Sequence, residues 1–192
     1  MKLDQQTIQL AAITLLNENG LEALSMRSLA KALDVKAASL YFHFKNRNAL
    51  MEGIAELISG RICQRLVKVK DCDFYQLAHI LREELKRVND SPKIFESTYP
   101  FTPNRTKLIM LGMKLMQDLG VDKQHLTVAG NMGNNFVLSY VADEQYFARD
   151  TERQMPSEFA AQFTSPIDLA NPDEAFDYGL NVFIHGLQAT AK

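Results

Sequence analysis

The sequence has no tryptophan, and only two cysteines, Cys63 and Cys72, in 192 residues. Their spacing matches no zinc motif, and two cysteines do not make a disulfide scaffold. A reducing cytoplasm is the natural setting. Long apolar runs are missing too: no segment approaches the ~18 uninterrupted apolar residues that a membrane span needs. The opening stretch MKLDQQTIQLAAITLLNENG has polar residues inside its apolar pattern, so it lacks the core of a signal peptide. Also missing are a glycine-rich phosphate loop, a nucleophile elbow and a His-Glu helix motif, one of which a small esterase or transferase would be expected to show. His79, His125 and His185 are scattered without metal-ligand spacing. No catalytic centre, metal site or cofactor is expected, and no membrane partner.

Charge of one sign is also lacking. There are 21 Lys and Arg against 23 Asp and Glu, a net −2, so the chain as a whole is not a polycation. The distribution says more. Residues 1–47 hold Lys2, Arg27, Lys31, Lys36, Lys45 and Arg47 against Asp4, Glu18, Glu22 and Asp34. Six cations less four acids give +2, which leaves −4 for the remainder. A basic head on an acidic body suits a head that meets polyanions.

What is present reads as helix almost throughout, with no alternating strand run and no hairpin turn pair. Length allows one or two domains with a real core. Asp4 is placed to cap a first helix whose stripe is Ile8, Ala11, Ala12, Leu15 and Leu16, and Gly20 to end it in a left-handed conformation. Ser25 caps a second helix carrying Leu29, Ala30 and Leu33. A third runs from Ala37 to Phe44. Asn46 caps a fourth, to about Lys70, and a fifth fits Phe74 to Asn89. The stretch SPKIFESTYPFTPN, broken by three prolines, allows one or two helical turns. Thr102 and Pro103 start a helix that Gly120 ends. One long helix fits Asp122 to Phe147, residues 150–171 read as a loop with one short helix, and Asn171 and Pro172 open a last helix to about Ala189.

Two short helices joined by a tight turn and preceded by another helix suggest a helix-turn-helix. The helices cross steeply, so a small residue must sit where they touch, and Ala30 does. Leu29, Leu33, Val35 and Leu40 are placed to fill the space beneath. Asp34 takes the turn position where glycine is common, and aspartate tolerates the left-handed region better than most residues. The second helix is short enough to enter a groove ~12 Å wide. Leu40 and Phe44, at i and i+4, face the core, with Phe42 also placed to pack. Tyr41 and His43 point elsewhere, where a hydroxyl and an imidazole can bond phosphate oxygens. Lys45 and Arg47 follow, and Asn46 opens a helix whose first amides also favour phosphate.

The stretch LSMRSLAKALDVKAASLYFHFKNRNAL, with its L-Y-x-H-x-K-N run from Leu40 to Asn46, resembles the DNA-binding head of the TetR family of bacterial regulators. The resemblance is strong over about residues 4–60. It continues behind that through NNFVLSYVADEQ, from Asn134 to Gln145, and FDYGLNVFIHGL, from Phe176 to Leu187, where the body is most similar to the tetracycline-repressor branch. It implies an all-α fold: a three-helix helix-turn-helix head over residues 1–46 and a helical ligand-binding and dimerisation body over 47–192. It implies that Arg27 reads guanine O6 and N7, with Ser25 and Met26 beside it. Ala37, Ala38 and Ser39 open the recognition helix. They are small and apolar, so thymine-methyl contacts are expected there rather than amide readout. Tyr41, His43, Lys45 and Arg47 look like phosphate clamps, and Lys36 lies beside them.

For the body, the resemblance implies a homodimer. Two helices per subunit, Val128–Phe147 and Asp173–Ala189, would form a four-helix interface in which Gly130, Gly133, Gly179 and Gly186 allow close approach. The branch's drug-contact positions fall on Cys63, Leu77, Leu81, Phe95, Thr98, a place near Gly112, and Asp143 or Glu144. Phe95 stands where the branch has a metal-binding histidine, so a drug–magnesium complex is not expected. Leu77, Leu81, Phe95, Met110, Met113 and Met132 are placed to line an apolar cavity, since methionine adapts to varied ligand shapes. The expected function is a DNA-binding repressor that takes a pseudo-palindromic operator as a dimer and is released by a small, largely apolar effector. Two rivals remain at this point: a regulator controlled by a protein partner, and a helical ligand-binding protein whose head no longer reads DNA.

Overall fold

The computed structural model describes residues 3–149 and 171–190. Among the described residues there is no strand, and the chain is a succession of α-helices. It divides into two compact units, one ending at Gly112 and one beginning at Met113. The short helix expected within 150–171 lies outside the described residues.

In the first unit, α1 spans Gln5–Ala23 and Asp4 caps it, its side chain accepting from the Thr7 N–H at 2.8 Å. Ile8, Ala12 and Leu16 are fully buried. Gly20 interrupts this helix rather than ending it: its φ is +75°, and a last helical turn continues to Ala23. α2, Met26–Ala32, begins with a capping box in which Ser25 and Ser28 satisfy each other's backbone N–H groups. It ends at Leu33, followed by Asp34 at φ +53°. The Val35 N–H bonds back to Ala30 O and the Asp34 N–H to Lys31 O, the paired return bonds of a left-handed helix stop. Aspartate does glycine's work here, as its short polar side chain allows.

α3, Ala37–Tyr41, is shorter than expected, although one further turn carries Phe44 back onto Leu40 O. Leu24, Leu29, Ala30, Leu40 and Phe44 make the head's core, while Leu33 and Val35 are only half-buried. Phe42 does not join it. At 90% exposure it is open to solvent.

α4, Arg47–Leu66, is capped by Asn46, whose side chain accepts from the Ala49 N–H at 2.8 Å. It stops short of Lys70 because the chain tightens after Leu66, with the Lys68 N–H on Arg65 O. Leu50, Ile54, Ala55, Ile58 and Ile62 are fully buried along it. α4 packs on α1 and also on α5 and α6. α5, Phe74–Lys86, opens with an Asp73–Gln76 capping box and ends three residues before Asn89. α6, Ser91–Ser97, is the two-turn piece, with Pro92 in its first turn. α7, Pro103–Asp118, starts at proline as expected and crosses from the first unit into the second.

The second unit holds the end of α7, a 3₁₀ turn at Lys123–His125, α8 (Leu126–Arg149) and α9 (Pro172–Thr190). The 3₁₀ turn divides what the sequence suggested was one helix from Asp122. α8 buries Ala129, Val137, Leu138 and Val141. α9 buries Phe176, Leu180 and Leu187. The Phe136 ring lies so close to α9 that a Cβ at Gly179 would meet it at 2.9 Å. Tyr140 donates to Ala175 O at 2.9 Å. Within the chain, Gly130 and Gly186 instead face open space. No described helix is long and apolar enough to cross a membrane.

Gly53 decides how closely α4 meets the recognition turn. A Cβ there would lie 2.7 Å from Gln9 Nε2 and 2.8 Å from the buried Phe44 ring. Alanine gains ~1 kcal/mol of helix propensity over glycine, whereas overpacking a core contact costs ~1–3 kcal/mol. Gly53→Ala is therefore expected to destabilise the protein by about 1 kcal/mol in urea denaturation. A gain in stability would show that the ring yields freely.

Candidate nucleic-acid interface and effector residues

The two short helices place the predicted DNA-reading residues unequally. Arg27 is exposed in the first turn of α2 and no described group holds its side chain. Lys36, Ala38 and Lys45 are exposed, and Tyr41 is 51% exposed. Ala37, Ser39 and His43 are half-buried. The His43 carbonyl accepts from Gln5 Nε2 at 3.2 Å, which ties α1 to this turn. Ser25 is exposed, but its hydroxyl is engaged with Ser28.

Two expectations are corrected. Met26 is 6% exposed, so its side chain belongs to the head's core and does not face a base. Arg47 is no free phosphate clamp. Its Nε donates to Leu24 O at 2.7 Å and its Nη2 to Leu21 O at 2.9 Å. The break at Gly20 disturbs the end of α1, and the first residue of α4 satisfies the carbonyls left there. The same end of α1 is held from the other side. Asp90 Oδ2 accepts from the Leu21 N–H at 2.8 Å, and Asn89 donates twice to Asn17, from its backbone N–H to Oδ1 and from Nδ2 to the carbonyl.

Of the predicted effector residues of the first unit, Cys63, Phe95 and Thr98 lie around the start of α7. Cys63 is half-buried with its thiol on Asn104 O at 3.8 Å, and burial pushes that thiol upward in pKa. Leu77 is buried, with one methyl 3.8 Å from where a Gly112 Cβ would stand. Phe95 and Thr98 are buried, and Leu81 is half-buried. Met110 is different: it is 62% exposed. In the second unit, Met113 is half-buried while Met132 and Asp143 are exposed.

Three residues at the centre of this cluster went unpredicted. Glu56 accepts from the Asn104 N–H at 3.0 Å, from Asn104 Nδ2 at 2.8 Å and from the Arg105 N–H at 3.4 Å, so it caps α7 from the side of α4. Arg105 is buried. Its guanidinium lies 4.7 Å from the Phe95 ring centroid. It donates to Thr98 Oγ1 at 2.7 Å and to the carbonyls of Phe95, Thr98 and Tyr99. Burial pulls its pKa down, and Glu56 and Glu52 oppose that. One sequence signal pointed this way. A cation in a helix's first turn opposes the helix dipole, so Arg105 had reason to reach elsewhere. It reaches the negative C-terminal end of α6.

A pair of short helices joined by a tight turn, with an exposed arginine on one and an exposed tyrosine on the other, defines a helix-turn-helix DNA reader carried by a helical body. The family model for bacterial regulatory proteins of the tetR family matches residues 8–54. The tetracyclin repressor-like C-terminal domain matches residues 72–191. The chain belongs to the TetR family and is a DNA-binding transcriptional regulator. It is 29% identical to the class A tetracycline repressor of Escherichia coli from transposon 1721, over 97% of this chain and 91% of that one. Among solved structures, ActR of Streptomyces coelicolor in complex with (S)-DNPA superposes with a TM-score of 0.75 at 25% identity, covering 100% of both chains. A TetR variant of Acinetobacter baumannii in complex with minocycline gives 0.78 at 25% identity, over 100% of this chain and 99% of that one.

The divided roles of neighbouring cations can be separated. Arg47→Met removes two hydrogen bonds to backbone carbonyls and is expected to cost about 1–3 kcal/mol of stability in urea denaturation. Lys45→Met should leave stability unchanged and, if Lys45 contacts phosphate, reduce the salt slope of DNA binding by about one. Equal stability losses for both variants would contradict this assignment.

Proposed function

We propose that this chain is a cytoplasmic homodimeric repressor. It takes a pseudo-palindromic operator through two heads in successive major grooves, about 34–36 Å apart. In this reading residues 1–46 are the DNA-binding domain, and residues 47–192 bind the effector and the second subunit. Arg27 reads guanine. Ala37, Ala38 and Ser39 meet base edges, and Tyr41, His43, Lys36 and Lys45 hold the backbone. The observation that carries the reading is the sorting of side chains on α2 and α3. Leu29, Ala30 and Leu40 are buried, while Arg27, Ala38 and Tyr41 are left outward on helices too short to serve the core alone.

A small molecule of largely apolar character is the proposed effector. Support comes from Phe95, Thr98 and Cys63 around the start of α7, from buried Leu77 against Gly112 further along it, and from the two structural relatives solved with small molecules bound. Phe95 in place of a histidine argues against a drug–magnesium complex. α4 carries Glu56 and Cys63 on the effector side and Gly53 against the recognition turn. A ligand that shifts α4 changes head separation, with the hinge at Asn46–Leu50, and so lowers operator affinity. The protein acts as a regulator in this scheme, with no reaction to catalyse.

Selection of random duplex DNA by the purified protein tests the reading directly. An inverted repeat should be recovered, and sedimentation should give one dimer per site. Arg27→Ala should degrade the selected sequence, costing about 1–3 kcal/mol at the position it reads. Tyr41→Phe should weaken binding to all sequences alike. Failure to enrich any sequence at low salt would remove the unliganded DNA-binding form.

A further inference from the structure

Three residues of α4 close on a single residue of α7. Glu56 accepts from the Asn104 N–H at 3.0 Å and from Asn104 Nδ2 at 2.8 Å. The Cys63 thiol lies on Asn104 O at 3.8 Å. Between them Gly60 leaves room for the Asn104 side-chain amide, which a Cβ there would meet at 3.2 Å. Glu56, Gly60 and Cys63 stand at i, i+4 and i+7 of α4 and so share one face. Gly53, against the Phe44 ring, precedes Glu56 by three residues on the same stripe. The face of α4 that meets the recognition turn therefore runs on to Asn104. Seen from α7, Pro103 opens the helix without an N–H, so its first orphan amides are those of Asn104 and Arg105. Glu56 takes both. A carboxylate at the positive end of a helix makes hydrogen bonds of the stronger, charge-assisted kind. Among the described residues Glu56 accepts from no other group.

α7 is also the helix through which the first unit continues into the second. In the reading above, the DNA contacts precede α4 in the chain and the subunit contacts follow α7. Apolar burial between helices is non-directional. Hydrogen bonds from two backbone amides and one side-chain amide to one carboxylate are directional, so they fix both the rotation and the height of α4 against the start of α7. We propose that Glu56 and Asn104 are positioning residues of operator recognition, and that their grip selects the half-site spacing the dimer accepts. Neither residue touches a base or a phosphate in this scheme; both act through α4. The inference rests on the dimeric DNA-binding reading and adds to it the pair of side chains that determines spacing.

The test uses the operator recovered by the wild-type protein, and two versions of it with one base pair added or removed at the centre. Each change moves one half-site by ~3.4 Å and turns it by about a tenth of a helical turn. The wild type should prefer the recovered spacing by at least about tenfold. Glu56→Ala and Asn104→Ala should each bind the recovered operator about tenfold more weakly and distinguish the three spacings by less than about threefold. Their discrimination against a substituted half-site base, and their salt slopes, should match the wild type, because the base and phosphate contacts are intact. The double variant should fall no further than either single one, as partners in one contact behave. Glu56→Gln keeps one acceptor oxygen at nearly the same size and should lie between Glu56→Ala and the wild type. Asp73→Ala removes a helix cap elsewhere in the first unit and serves as the control. Its melting temperature should drop while its spacing preference stays. A wild-type spacing preference in Glu56→Ala overturns the inference and leaves the DNA reading intact; should that variant not fold, the same result in Glu56→Gln does so in its place. A wild type indifferent to spacing overturns it too. So does loss of spacing preference in Asp73→Ala, which would make general loosening the cause. Recovery of no sequence by the wild type sinks the DNA reading, and this inference with it.

Discussion

The burial of one helix on two sides constrains everything else in the first unit. α4 sets a line of fully buried residues, Leu50, Ile54, Ile58 and Ile62, between the head's helices and those of the body. A helix that is apolar on so wide a face cannot leave either neighbour without exposing it. Its partners are therefore not independent. At Gly53 the fit is close enough that the Phe44 ring of the recognition turn occupies the space a side chain would take. Interiors at this density do not deform smoothly, so a displacement of α4 moves the head as a block.

Polar groups then fix the position that burial leaves loose. Glu56 brings a carboxylate to the amide end of α7, and Arg105 brings a guanidinium to the carbonyl end of α6. Each charge meets the helix terminus of opposite sign. Arg105 has no carboxylate within ion-pair distance among the described residues, so its charge depends on carbonyl dipoles and on the Phe95 face. Buried charges held in this way contribute little net stability, because desolvation offsets the gain. What they supply is register. α4, α6 and α7 meet in one arrangement, and Thr98 and Phe95, two proposed effector contacts, are part of it. A ligand competing for those groups would act on the same contacts that set α4.

Much of this fold was legible in the sequence because its boundaries are chemical. Asp4, Ser25, Asn46 and Asp73 each cap the helix they precede, and Pro103 starts the next. Asp34 marked the turn. Helix ends without glycine or proline were less readable. α4 ends by a local tightening at Arg65 to Lys68, and no residue type announces it. Burial and exposure at the site were legible where they follow from helical register, as for buried Leu40 and exposed Tyr41. It was not legible where a role depends on a distant backbone. Arg47 turns inward because Leu21 and Leu24 present carbonyls beside a broken helix, which local sequence does not reveal. Met26 follows a cap residue and looked outward, but its side chain enters the head's core. Phe42 was set in the core because it is aromatic, although its register with Ala38 placed it outside.

The head's electrostatics set how such a reader can work. Among the described residues, Arg27, Lys31, Lys36 and Lys45 are its exposed cations, against the exposed acids Glu18, Glu22 and Asp34. With so few phosphate contacts available per head, the sequence-independent part of binding is small and its dependence on salt is shallow. A single head would then hold DNA weakly, and useful affinity in the proposed dimer comes from two heads engaging one site together. Affinity of that kind depends on the spacing between heads more than on the strength of either. A shift of α4 need not damage a single DNA contact to release the operator. It needs only to carry the two reading faces out of step with successive turns of the groove.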